Sequence, residues 1–130
     1  MLKLHNADVK LDDRGILTIL EFSNLPWKPL RTYFLSGSNP SQKRGTHAHK
    51  SLQQYFMALS GSWELRFYDG NEWSSFNLSQ PGSGLLVGPG LWREISTEDS
   101  SAVLSVFASA AFDESDYIRD FQDYEAWRNL

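Results

Sequence analysis

Two histidines stand two residues apart in the run Lys43-Arg44-Gly45-Thr46-His47-Ala48-His49-Lys50-Ser51-Leu52-Gln53-Gln54. On a β-strand, side chains at i and i+2 leave the same face, roughly 7 Å apart along the backbone. Both imidazoles would then lean over one small volume, each with an unperturbed pKa of about 6.5. Lys43, Arg44 and Lys50 lie in the same run, in a chain whose net charge is −4. The pattern reads as proton transfer, or a metal site, beside a place for an anion.

A zinc or non-haem iron site needs three or four protein ligands. His5 is distant in sequence, and the residue after Trp92 is the cation Arg93. Gln53 stands where a carboxylate four residues after His49 would complete a ligand set. Neither a metal nor another cofactor is therefore expected. Two ordinary histidines on an exposed strand face are the bland alternative. Histidines flanked by cations suit acid–base work on an anionic substrate better. Arg14, Arg31 and Arg93 each lie at a strand start or in a glycine-bounded turn, where binding groups collect. Tyr33 sits in an apolar run, and its phenol needs a partner if buried. Trp92, between Gly88-Pro89-Gly90 and Arg93, fits the mouth of a cavity.

The rest of the chain must hold these groups still. Lys10 to Arg14 is polar and turn-like. Strands are predicted over Ile16–Phe22, Leu30–Leu35, the His-X-His run, Gln54–Leu59, Trp63–Tyr68, Glu72–Leu78, Leu85–Val87, Leu91–Ile95 and Ala102–Ala108. Asp69-Gly70-Asn71 predicts a tight hairpin of the type I′ family, which needs positive φ. Tyr117, Phe121 and Tyr124 are spaced as on one helical packing face, with Asp113, Glu114 and Asp116 at its front. Many short strands with Gly, Pro and Asn turns mean a sandwich or small barrel, with one short C-terminal helix. In such a barrel the wider mouth forms a ligand cavity.

Composition narrows the class. A hydrophobic share of 41% and an aromatic share of 14% over 130 residues describe one folded domain, 1–130. The acidic balance argues against general nucleic-acid binding. The absence of cysteine removes disulfides, thiolate ligands and a thiol nucleophile. The first residues lack a signal-peptide apolar run, and no stretch approaches the roughly 20 apolar residues of a membrane span. A cytoplasmic protein without membrane contact is expected.

Three motifs in order carry a resemblance. They are Arg44-Gly45-Thr46-His47-Ala48-His49-Lys50-Ser51-Leu52-Gln53-Gln54, Gly88-Pro89-Gly90-Leu91-Trp92-Arg93, and the run from Phe112 through Tyr117 and Arg119 to Phe121. Arg31-Thr32-Tyr33-Phe34 and Asp13-Arg14-Gly15 match as well. The sequence closely resembles the dTDP-4-keto-6-deoxyglucose 3,4-ketoisomerases, WxcM-like sugar isomerases within the cupins. The resemblance implies an all-β, cupin-type jelly-roll barrel and a homodimer that exchanges N-terminal strands. It implies no metal, and a dTDP-linked 4-keto-6-deoxyhexose as substrate. By motif, His47 and His49 are the catalytic pair, with Tyr33 and Arg44 also in the active site. Arg14 and Arg93 carry over as residues lining the sugar pocket. Gln53 stands where several members carry an acid, and Thr46 where others carry a bulkier or acidic residue. Moving a ketone from C-4 to C-3 needs one proton removed and one returned on adjacent carbons, which suits imidazoles on one strand face. With arginine rather than histidine after Trp92, the proton is expected to return to the face it left, giving the gluco-configured product. Two other classes also fit a His-X-His barrel: a metal cupin, and a non-catalytic sugar-nucleotide-binding module.

Overall fold

Alternation of apolar and polar residues sets two antiparallel sheets face to face. The computed structural model describes residues 1–130. The first sheet runs β1 (Leu2–Leu4), β9 (Gly84–Val87), β6 (Gln54–Ser60), β11 (Val103–Ala108) and β4 (Arg31–Leu35). The second runs β12 (Tyr117–Ile118), β5 (Arg44–His49), β10 (Trp92–Ser96), β7 (Trp63–Tyr68) and β8 (Trp73–Leu78). Trp63, Leu65 and Phe67 point inward from β7 and are buried, while Glu64 between them is exposed. They join Phe56, Leu85, Leu104 and Val106 in the main core between the sheets. The expected cupin-type all-β fold, with one short C-terminal helix (α1, Phe121–Arg128), is present.

Three local expectations change. The polar stretch before Arg14 is a strand, β2 (Asp8–Asp12), paired with β3 (Gly15–Ile19) from Asp8↔Ile19 to Asp12↔Gly15. Ladder pairing outweighs the low strand propensity of Asp and Lys. This hairpin joins neither main sheet. At the β7–β8 turn, Gly70 takes positive φ, 96°, but no non-glycine residue does, so the turn is not type I′. Asp69 closes it instead: its Oδ1 accepts from the backbone N–H of Asn71 and of Glu72, each at 2.8 Å.

The third change matters for function. Tyr117 does not share a helix with Phe121 and Tyr124. The helix begins at Phe121, capped by the Asp120 side chain accepting from Asp123 N–H at 3.0 Å. Tyr117 and Ile118 instead pair with His49 and Ala48 on the open edge of β5. Their backbone finds ladder partners there that a helix would otherwise supply.

Candidate active site

The histidine strand carries a bulge. His47 pairs with Arg93, yet Arg44 pairs with Ile95, so two β5 residues oppose one on β10. Gly45 sits in the bulge at φ 61°, the left-handed region. In a regular strand, positions 44 and 47 would face opposite sides. The extra residue restores Arg44 to the face of His47, and both line one cleft of about 300 Å³. A Cβ on Gly45 would stand 3.0 Å from Ile95 Cδ1.

His47 Nε2 lies 3.1 Å from His49 Nε2. His49 Nδ1 lies 3.2 Å from Asp116 Oδ2. Asp116 is itself held. Its Oδ1 accepts from the Ser51 N–H at 2.9 Å and the Ser51 hydroxyl at 2.6 Å, and its Oδ2 accepts from Leu52 N–H at 3.2 Å. The carboxylate can only accept, so His49 donates from Nδ1, and its Nε2 lone pair accepts from His47. A directed chain therefore runs from His47 through His49 to Asp116. Burial, then the nearby Arg93 cation, pushes both imidazoles down, His47 to about 2 and His49 to about 4. Asp116 pulls His49 the other way without prevailing. Both rings are neutral bases at pH 7. Burial would raise the Asp116 carboxyl, but the Ser51 and Leu52 donors and His49 outweigh it, and its pKa falls below the ordinary value.

Across the cleft stands a second polar chain. Arg93 is 1% exposed and donates from Nη1 to Gln54 Oε1; the Gln54 amide donates to Tyr33 Oη at 3.0 Å. Burial brings Arg93 down to about 10, which still leaves it a cation at pH 7. Burial pushes the Tyr33 phenol up. Around the opening, Arg31, Arg44 and Arg119 supply positive charge. The Arg119 guanidinium lies 4.2 Å over the Tyr117 ring, and Arg31 lies 5.1 Å over Tyr33. Tyr117 in turn packs on both imidazoles, at 5.0 Å from His47 and 4.3 Å from His49 between centroids.

Of the residues chosen from sequence, His47, Tyr33, Arg44, Arg31 and Arg93 line this cleft, with His49 directly behind His47. Trp92 does not. Next to the inward Arg93, it must face outward, and it packs under α1 with Ala48, Ile118 and Tyr124. Arg14 does not reach its own chain's cleft either: it is exposed at the hairpin tip, paired with Asp12 at 2.6 Å. Lys43 is engaged by Glu94 at 2.9 Å, outside the cleft. Sequence reasoning missed Asp116, Tyr117, Arg119 and Gln54 as site residues. The first three lie in the third motif, but helical spacing assigned Tyr117 to packing and Asp116 to the front of a helix, and Arg119 was given no role. A larger cavity, about 500 Å³, lies against β1, β9 and Asn24–Trp27 and contains neither His47 nor His49. No three His, Cys, Asp or Glu side chains converge as a ligand set.

Two facing antiparallel sheets, with a carboxylate-backed imidazole pair in the cleft between them, make a cupin-type barrel. The chain belongs to the FdtA family (WxcM-like, C-terminal), whose pattern it matches over residues 1–129. It is 36% identical over 126 residues to the TDP-4-oxo-6-deoxy-α-D-glucose-3,4-oxoisomerase of Aneurinibacillus thermoaerophilus, covering 96% of this chain and 91% of the relative. A 3,4-ketoisomerase from Helicobacter canadensis superposes with a TM-score of 0.92 at 36% identity, covering 99% of this chain and 98% of that one. The sugar 3,4-ketoisomerase QdtA from Thermoanaerobacterium thermosaccharolyticum, solved with TDP, gives 0.92 at 32% identity, covering 98% and 94%. A histidine-to-asparagine mutant of that enzyme was solved with TDP-4-keto-6-deoxyglucose. The 3,4-ketoisomerase class expected from the motifs stands.

Proposed function

We propose that this protein moves the keto group of a dTDP-linked 4-keto-6-deoxyhexose from C-4 to C-3, by histidine acid–base catalysis through an enediol. The observation that carries this reading is the His47–His49–Asp116 chain on the floor of a cationic cleft. An imidazole takes the C-3 proton. The charge gained is shared with its neighbour and backed by the Asp116 carboxylate. The enediolate oxygens receive hydrogen bonds from Tyr33 and the arginines. The imidazolium then returns its proton to C-4, while the C-3 hydroxyl proton ends on the C-4 oxygen. Arg31, Arg44 and Arg119 at the opening match a doubly negative pyrophosphate. Arg93 stays a cation and is a poor proton donor, which favours return to the same face. Because H-3 and H-4 lie on opposite faces of a gluco ring, same-face return gives the galacto product, and this corrects the gluco product expected from the sequence.

Two further parts of the reading concern the whole protein. The β2–β3 hairpin pairs with no other strand and exposes Leu11, Ile16 and Leu17. Exchange of this N-terminal region in a homodimer would cover those side chains and bring Arg14 to a partner's cleft. No helix is long and apolar enough to cross a membrane, in keeping with a cytoplasmic enzyme using a soluble sugar nucleotide. The deciding experiment is proton NMR of dTDP-4-keto-6-deoxyglucose with the protein in D₂O. The expected result is conversion to the 3-keto isomer, deuterium at C-4 of that product and at C-3 of recovered substrate, and, after reduction, a small H-4 coupling. Binding without exchange would assign a non-catalytic module instead. A large H-4 coupling would mark the gluco product and proton delivery from the opposite face.

A further inference from the structure

We propose that Gln54 is a positioning residue that turns the Tyr33 hydroxyl proton into the cleft, with buried Arg93 holding the amide in the one orientation that does so. The inference rests on the ketoisomerase reading for what Tyr33 does, but on the hydrogen-bond geometry for what Gln54 does.

Gln54 is 1% exposed, at the start of the central strand β6. A buried amide must find partners for both its ends. Arg93 Nη1 donates to its oxygen, and a guanidinium has no acceptor, so the amide cannot flip. The NH₂ group is thereby directed at Tyr33 Oη, 3.0 Å away. An NH₂ group can only donate, so the phenol oxygen accepts. No protein group accepts the phenol's own proton, and Tyr33 lines the cleft beside His47, Arg44 and Arg93. That proton therefore points where the enediolate oxygen forms. The Arg93 charge at the far end polarises the chain and strengthens the final donor. Arg93 and Gln54 also hold back the rise that burial imposes on the phenol.

The test uses Gln54→Glu and Gln54→Met, each alone and with Tyr33→Phe. Glutamate keeps an acceptor for Arg93 but can only accept from Tyr33, which reverses the second hydrogen bond and turns the phenol proton away. Gln54→Glu is expected to lower kcat at least about tenfold with KM within about twofold, since a transition-state donor is lost and ground-state binding is not. In the Tyr33→Phe background the same change should alter kcat by less than about twofold. An equal loss in both backgrounds, or a loss carried by KM alone, overturns the proposal. If the wild-type protein turns over no keto sugar, the ketoisomerase reading fails and a substrate-free measurement decides this one. Fluorine NMR of protein labelled with 3-fluorotyrosine follows each phenol, with Tyr33 identified by its absence in Tyr33→Phe. The Tyr33 midpoint should rise in Gln54→Met, which removes the donor without adding charge. An unmoved midpoint overturns the proposal.

Discussion

His47 is the imidazole that meets the cleft, and His49 is the one that meets Asp116. Replacing either by asparagine is expected to lower kcat by at least ~10²-fold, the usual weight of a general acid–base group. TDP binding, followed by calorimetry, should change little, because on the proposed reading the phosphates meet the arginines at the opening and not the ring pair. Near wild-type turnover in both variants would mean another base. Asp116→Asn probes the other end of the chain. An asparagine presenting its NH₂ to His49 Nδ1 would force the opposite tautomer and break the link to His47. The expected loss is on the order of 10²-fold in kcat with a modest fall in Tm, because Ser51 can still bond the amide oxygen while the Leu52 N–H loses its acceptor; kinetics together with a melt separates this from simple unfolding.

At the scale of the element, the β5 bulge decides which residues share the cleft. Gly45→Ala places an L-residue at φ 61° and a methyl 3.0 Å from Ile95 Cδ1. The backbone strain alone is about 1–2 kcal/mol. Relief of that strain would regularise the strand and turn Arg44 away from His47. The expected outcome is a lower urea midpoint and a KM for the nucleotide sugar raised more than kcat falls. Unchanged KM with lowered stability would show that the bulge serves the fold and not the site. The short strand β12 has a matching role. It closes the edge of β5 and in the same step delivers Asp116 and Tyr117 to the imidazoles.

For the whole molecule, burying two neutral imidazoles makes stability depend on pH. Unfolded histidine takes a proton at about 6.5, whereas folded His49 resists until about 4 and His47 until about 2. Below pH 6.5 the unfolded chain thus binds protons that the native site refuses, and stability falls with pH; above 6.5 this contribution is constant. Asp116, lowered in the fold, adds to the loss only in more acid solution, as it protonates. Urea midpoints at pH 7, 6 and 5 should fall in that order, and with a shallower slope in His49→Asn. Identical slopes would show that His49 is solvated in solution. The dimer is tested at the same scale. Light scattering should return twice the 14.8 kDa chain mass across micromolar concentrations; the single-chain mass would reject strand exchange.

Much of this was legible in one dimension. Alternation in Trp63–Tyr68 and the glycine and proline punctuation determined short strands and hence an all-β class, because burial of one face imposes period two. The His-X-His spacing determined a shared face for two imidazoles, and the ordered motifs carried the family and the arginines. Other features depended on contacts between distant segments. Asp116 is 67 positions from His49, and Gln54 is 21 from Tyr33, separations that no local period encodes. Tyr117 obeyed helical spacing, yet the free edge of β5 offered its backbone a better ladder. Trp92 and Arg93 were both plausible cavity residues in sequence. Only the register of β10 against β5 decided that the arginine faces in and the tryptophan out, since adjacent residues on a strand cannot share a face.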